Sequence, residues 1–171
     1  DWVLFVDDDE IVSKSLAKEI AEAIRSDKCS GYYLRRLDKY HSQILQHGET
    51  GNIKIIRLGK KSAGSFSRPV HEVWGIKGSV GELKYPLIHA RGELVEPFID
   101  RMVHYGPIDA SELTKEGKPF TFWRFLLNPI GKFLVNYKLK LGFLDGYAGL
   151  FQAYLMSVQS LSVRVFQWQK P

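Results

Sequence analysis

The feature that most constrains this chain is an apolar run, Trp2-Val3-Leu4-Phe5-Val6, followed at once by Asp7-Asp8-Asp9-Glu10. A short continuous apolar run is typical of a central strand that is covered on both faces. Ser13 suits the N-cap of a helix that runs to about Ser26. In open α/β sheets, ligands bind outside the carboxyl ends of the strands. We therefore predict an α/β fold with a ligand site at Asp7–Asp9.

The acidic cluster itself indicates a metal. Adjacent carboxylates repel one another unless a cation or a raised pKa relieves the repulsion. Oxygen ligands suit Mg²⁺ or Mn²⁺, and Mg²⁺ commonly binds one or two carboxylates together with substrate phosphates. A cation bound in this way stabilises a departing diphosphate as a Lewis acid. The alternative is a solvated acidic turn whose carboxylates interact favourably with the N-terminus of the next helix.

The rest of the chain divides into a strand-rich part and a helical part. The predicted strands are Gly31–Tyr40, Asn52–Leu58 and a short segment around Leu87–His89. The first predicted helix begins near Glu96 and ends at Gly106-Pro107. A short helix is predicted over Asp109–Gly117. Two or three more helices are predicted between Phe120 and Gln167, around Asn128-Pro129 and Gly142. This pattern predicts a first domain over residues 1–95 and a helical extension over 96–171.

The helical extension carries the excess charge. Of the 24 Lys and Arg residues six fall in residues 120–171, but only one of the 19 Asp and Glu residues does, so the net charge of +5 is confined there. Gly146–Val163 is uncharged and of transmembrane length. Its Gln152 and Gln159 favour an interfacial amphipathic helix over a membrane span. Ordinary packing of these helices as protein core is the alternative.

Two other families share the opening strand and acids. Response-regulator receivers need a phospho-accepting Asp after a later strand, whereas Asn52–Leu58 ends in Gly59-Lys60. Phosphatases of the haloacid dehalogenase type need Thr or Val two places after the second Asp, where this chain has Ile11. The single Cys29 also excludes an internal disulfide framework and a cysteine-based zinc site.

The order of features resembles family-2 glycosyltransferases of the GT-A type. The residues that carry the resemblance are Asp7-Asp8-Asp9-Glu10, Val70-His71-Glu72, His89, Asn128-Pro129 and Gly142-Phe143-Leu144-Asp145-Gly146. Within that family the chain is similar to lipopolysaccharide-core β-glucosyltransferases and related cell-envelope enzymes, over essentially all its length. The resemblance implies a partial GT-A (Rossmann-like) sheet with a C-terminal amphipathic helical extension.

The resemblance also implies roles for particular residues. Asp7 and Asp9 would hold Mg²⁺ or Mn²⁺ on the diphosphate of the sugar nucleotide, with Asp8 in the variable middle position beside the substrate. Glu72 is the candidate general base, because a carboxylate can take the proton of the attacking acceptor hydroxyl. His71 is a candidate metal ligand, with a hydrogen-bonded structural role as its alternative.

Three further residues are candidates for substrate binding. Arg68 would offset phosphate charge, with an ordinary surface position as the alternative. Trp74 would stack on a sugar ring, with a packing role as the alternative. His89 is a candidate for substrate contact and a rival metal ligand, with a structural role as its alternative.

We therefore expect an inverting, metal-dependent glycosyltransferase. The resemblance implies a nucleotide-sugar donor, most simply a UDP-sugar, and a saccharide or lipid-linked acceptor. It implies a cytoplasmic location, peripheral to the inner face of the cytoplasmic membrane. Nucleic acid is not an expected partner, because no nucleic-acid recognition motif is present.

A GT-A domain also has a nucleotide-binding half before its D-x-D motif, so we expect the chain to be the C-terminal part of a longer enzyme. The alternative is a non-catalytic module that binds a membrane surface or nucleic acid and whose acids cap a helix.

Overall fold

The computed structural model describes residues 1–67, 73–92 and 94–169. The chain forms two compact units. The first consists of Asp1–Lys39 and Thr50–Arg91, and the second of Tyr40–Glu49 and Gly92–Pro171. The second unit thus takes in the predicted helical extension together with one earlier segment. The functional division at residue 95 stays a prediction.

The first unit is built around a mixed sheet. The strands of the chain are β1 (Trp2–Leu4), β2 (Glu10–Ile11), β3 (Gly31–Tyr40), β4 (Gln43–Ile44), β5 (Ile53–Lys60), β6 (Gly64–Ser67), β7 (Val73–Ile76), β8 (Val80–Glu82) and β9 (Leu87–Gly92). Six strands of the first unit belong to one sheet, with the main order β1-β5-β3-β9-β2 and with β8 parallel to β3. Strands β6 and β7 form a separate antiparallel pair. The predicted α/β class is confirmed.

The opening strand is not central in the part of the chain that the structure describes. Strand β1 lies at one end of the sheet order and pairs with β5, with Leu4 opposite Leu58. Its residues are half-buried. The prediction of a strand is confirmed, but the prediction of a central strand covered on both faces is wrong for the described residues, because only β5 supplies hydrogen bonds to it.

Helix α1 (Lys14–Ser26) covers the sheet as its sequence predicts. The Ser13 side chain accepts a hydrogen bond from the backbone N–H of Leu16, which satisfies one of the unpaired donors of the first turn. The apolar face of the helix joins the core of this unit. The buried core residues are Leu16, Ile20, Tyr32, Leu34, Leu58, Leu83 and Leu87.

The second unit is mainly helical. Its elements are α2 (Glu96–Lys115), α3 (Phe122–Leu134), a π-helical turn (Val135–Leu139), a 3₁₀ turn (Gly142–Asp145) and α4 (Gly146–Gln169). The helical extension and the break at Gly142 are confirmed, since a Cβ at Gly142 would lie 2.7 Å from the carbonyl oxygen of Asn136. No helix within the described part of the chain is long and apolar enough to cross a membrane.

The predicted break at Gly106-Pro107 is wrong, because α2 continues through both residues. Proline has no backbone N–H, so Pro107 leaves the carbonyl oxygen of Val103 without its helical donor. Val103 is exposed, and water can donate to this oxygen instead. Packing also favours the continuous helix. A Cβ at Gly106 would lie 2.6 Å from the ring of Phe166, so glycine allows α2 and α4 to approach closely. Helix α3 likewise runs through Pro129.

Replacing Leu16 by Ala should destabilise the first unit by about 2–5 kcal/mol, because the side chain is fully buried and its loss leaves a cavity. Ser15→Ala is the matched control, since Ser15 is exposed in the same helical turn and should change stability by less than about 0.5 kcal/mol. Urea unfolding measures both. Equal effects of the two substitutions would contradict the assigned buried face of α1.

Candidate active site

The acidic residues form a closed turn between β1 and β2. The backbone N–H of Glu10 donates to the carbonyl oxygen of Asp7 at 3.0 Å, and the N–H of Asp7 donates to Glu10 Oε2 at 3.0 Å. These reciprocal bonds bury Glu10 and leave Asp7, Asp8 and Asp9 exposed. Glu10 therefore holds the turn, and the other three carboxylates face solvent.

Two arginines compensate the charge on the Asp7 side of the turn. Arg57 donates from its NH2 nitrogen to the Asp7 carboxylate and lies 3.4 Å from Glu10 Oε1. The NH1 nitrogen of Arg36 is 4.0 Å from the same Glu10 oxygen. The Glu10 side chain has no exposed surface, so this pairing offsets the cost of burying its charge.

A histidine supports the other side of the turn. Strand β2 pairs with β9 so that Glu10 lies opposite His89, and the N–H of Ala90 donates to the carbonyl oxygen of Asp9 at 2.7 Å. The Nε2 atom of His89 lies 2.8 Å from Asp9 Oδ2, and its Nδ1 atom lies 2.8 Å from Asp38 Oδ1. The imidazole thus connects an exposed carboxylate with a buried one.

The buried carboxylate of Asp38 is ionised at neutral pH. Burial by itself raises the pKa of Asp38. The hydrogen bond with His89 and the charges of Arg91, His89 and Arg36 outweigh that effect and hold the pKa below its usual range. The Nε atom of Arg91 lies 3.1 Å from Asp38 Oδ2. Asp38 therefore carries a stable negative charge behind His89.

The exposed carboxylates fit a metal only in part. Among the residues that the structure describes, no three or more His, Cys, Asp and Glu side chains converge to hold a metal ion by themselves. Asp7 and Asp9 each direct one oxygen to a protein partner, Arg57 or His89, and both side chains are about half exposed. This arrangement fits a hard cation that takes its remaining ligands from phosphate and water, as Mg²⁺ commonly does.

The structure brings together some of the predicted site residues. Asp7, Asp8 and Asp9 share the turn, and His89 contacts Asp9. Arg68, His71 and Glu72 lie outside the described residues, so their roles as phosphate-binding residue, metal ligand and general base stay predictions.

Trp74 lies in a packing environment. It is buried, and its ring packs edge-on against Phe5 with 4.8 Å between the ring centroids. A Cβ at Gly64 would overlap the Trp74 indole, and one at Gly59 would lie 2.8 Å from it. These contacts match the packing role that the sequence left open as the alternative to stacking on a sugar.

Sequence reasoning missed three residues that hold the site, namely Arg57, Asp38 and Arg91. It placed Glu10 in the acidic cluster but did not predict that Glu10 closes the turn. One signal was present in the sequence, because Asp38 falls within a predicted strand, and a charged residue that is buried there needs a hydrogen-bonding or charged partner. Its partner His89 is 51 residues away, however, and only the pairing of strands brings the two together.

Comparison with known proteins points to glycosyltransferases. The chain is 25% identical over 170 residues to a protein named uncharacterized glycosyltransferase from Rickettsia typhi, covering 92% of this chain and 58% of that protein. Proteins of the same name from Rickettsia prowazekii and Rickettsia felis are 24% and 23% identical, with 58% and 60% of their lengths covered. No family model matches the chain. No solved structure matches it either.

These relatives support the coarse part of the resemblance. The similarity extends over nearly the whole chain, which spans less than two thirds of each relative. The chain is therefore similar to one part of bacterial proteins that are named glycosyltransferases.

Asp38→Asn should lower the free energy of unfolding at pH 7 by about 3–5 kcal/mol, because it removes the buried carboxylate that pairs with Arg91. The pKa of Asp38 is lower in the folded protein than in the unfolded chain, where it is about 3.9. The stability that Asp38 contributes is therefore fully present above the unfolded-state pKa and is lost as pH falls through the folded-state pKa. The difference between wild type and variant should therefore shrink in acid. Urea unfolding at a series of pH values measures it, and a difference that is constant down to about pH 2 would contradict the assignment.

Proposed function

We propose that this chain forms the metal-binding and acceptor side of an inverting glycosyltransferase. The donor is a nucleotide sugar, most simply a UDP-sugar, and the acceptor is a cell-envelope saccharide or a lipid-linked saccharide. The observation that carries the proposal is the turn at Asp7–Asp9, whose carboxylates are exposed but held from behind by Arg57 and His89. The similarity to glycosyltransferases supports the same conclusion.

In this proposal Asp7 and Asp9 hold Mg²⁺ or Mn²⁺. The cation supplies Lewis-acid stabilisation of the diphosphate as it leaves the sugar. The chain's own residues prepare the site for it. Glu10 closes the turn, and Arg57 and His89 each hold one carboxylate, so the ligands need little rearrangement when the substrate arrives. Asp8 is exposed beside them, available to the sugar nucleotide.

Inversion requires a base on the acceptor side. The acceptor oxygen forms its bond to the anomeric carbon as the bond from that carbon to the diphosphate oxygen breaks, and the hydroxyl proton passes to the base. The family resemblance assigns this role to Glu72, with His71 beside it as a further metal ligand. Arg68 is proposed to contact the donor phosphates.

In the full-length protein, Asp7→Ala and Asp9→Ala should each lower Mn²⁺-dependent transfer or donor hydrolysis by at least about 100-fold, because each removes a ligand that stabilises the leaving group. The matched control is Glu22→Ala, which removes an exposed carboxylate from α1 and should leave activity unchanged. Radiolabelled donor measures both reactions. Full activity of both aspartate variants would contradict the proposed metal site and favour a non-catalytic module.

The second unit has a surface suited to a membrane. Helix α3 exposes a stripe with the helical spacing of four, three and four residues. The stripe consists of Trp123, Leu127, Ile130 and Leu134, each between 42% and 67% exposed. Helix α4 exposes a second stripe with the same spacing. This stripe consists of Tyr147, Phe151, Tyr154 and Val158, each between 46% and 79% exposed. Exposed apolar surface of this extent marks an interaction site.

The core-packing alternative applies to other faces of the same helices. Phe133 and Tyr154 have ring centroids 4.7 Å apart, and Ser157 Oγ donates to the carbonyl oxygen of Pro129 at 2.7 Å. Helices α3 and α4 thus pack on each other and still expose the two stripes. The single acid of residues 120–171, Asp145, is buried, so the exposed charges of this region are positive.

We therefore propose peripheral contact with an anionic membrane, at the inner face of the cytoplasmic membrane. Aromatic and aliphatic side chains would enter the boundary between headgroups and acyl chains, and lysines would lie among the headgroups. This contact would bring the protein to a lipid-linked acceptor. The proposal gives the basic, aromatic region a function without requiring nucleic acid.

Replacing Lys138 and Lys140 by Glu should weaken binding to vesicles that contain phosphatidylglycerol by at least about 10-fold, since each lysine near an anionic surface contributes about 1 kcal/mol. Lys132 is left unchanged because its Nζ pairs with Glu49 at 2.7 Å. The control is Lys14→Glu with Lys18→Glu, the same charge change on exposed positions of α1. Co-sedimentation measures binding, and equal binding of the two double variants would contradict the proposed surface.

A further inference from the structure

The carboxylate of Asp38 lies behind the candidate metal site without belonging to it. Its side chain is 1% exposed, and its two oxygens face His89 and Arg91. An ionised carboxylate is costly to bury, and a paired one is often no more stabilising than an apolar residue of the same size. Core stability alone therefore gives little reason for an acid here, whereas control of His89 does.

Asp38 and Arg91 together hold one side of the His89 ring. Asp38 Oδ1 lies 2.8 Å from His89 Nδ1. Arg91 Nε is 3.1 Å both from His89 Nδ1 and from Asp38 Oδ2. The three side chains therefore form one cluster.

The same cluster fixes the direction of the other nitrogen. His89 is nearly buried, and its Nε2 atom lies 2.8 Å from Asp9 Oδ2. Because Asp38 holds the ring from the opposite side, the imidazole cannot rotate without breaking a buried contact. The position of the Asp9 carboxylate is thus set by a residue that Asp9 does not touch. Histidines near metal sites are commonly oriented by a carboxylate on their other nitrogen.

We propose that Asp38, supported by Arg91, is a positioning residue that acts through His89 to hold the Asp9 carboxylate in its metal-binding orientation. This inference rests on the proposed function, in which Asp9 binds the cation. Asp38 itself contacts neither metal nor substrate. Its contribution is a pre-arranged ligand, so its loss should appear as weaker metal affinity.

The test measures Mn²⁺ binding to the purified chain by electron paramagnetic resonance, with Mn²⁺ alone as the probe. Asp38→Asn should weaken binding by about 10- to 100-fold, the range found when the partner of a metal-site histidine is lost. The control is Leu34→Ala, which removes a fully buried side chain from the same strand and should destabilise the chain without changing Mn²⁺ affinity. Equal affinities of Asp38→Asn and wild type would overturn the inference.

Two further measurements separate the possible failures. Asp9→Ala should abolish Mn²⁺ binding. If it does so while Asp38→Asn binds normally, the metal site stands and the positioning role falls. If Asp9→Ala binds like wild type, the proposed metal site itself falls. His89→Leu removes the same link from its other end and should weaken Mn²⁺ binding to a similar degree. Wild-type affinity of that variant would overturn the inference even if Asp38→Asn failed to fold.

Discussion

The candidate site depends on the contact between His89 and the buried carboxylate of Asp38. That contact has two consequences at once. It compensates a negative charge inside the first unit, and it presents the other ring nitrogen to Asp9. Because β2 pairs with β9 with Glu10 opposite His89, the backbone hydrogen bonds and the side-chain contacts hold the same segment. The acidic turn is therefore fixed from the sheet.

Charge compensation explains why four consecutive acids are tolerated. Glu10 is buried and pairs with Arg57 and Arg36, Asp7 pairs with Arg57, and Asp9 contacts His89. Each compensating group lies on the protein side of the turn, which leaves the solvent side acidic. An acidic face of this kind supports the proposed cation site.

The helical unit shows how tertiary contacts override local signals. Gly106-Pro107 and Pro129 are strong breaking signals, yet α2 and α3 run through them. In α2 the carbonyl that lacks its donor belongs to the exposed Val103, and Gly106 allows close contact with Phe166. The cost of proline is thus small at this point in the fold. The same unit keeps two apolar stripes exposed, and these form the surface that is proposed to contact a membrane.

The sequence by itself determined the local elements and the acidic turn. Ser13, the apolar spacing of α1 and the β-rich segment Gly31–Tyr40 predict their structures, because capping and periodicity act over a few residues. The sequence also identified His89 as a candidate. Only the tertiary structure decided that β1 lies at the end of the described sheet, that Trp74 is buried against Phe5, and that Asp38 contacts His89. These outcomes depend on which strands pair across some 50 residues of chain, and no local pattern encodes that pairing.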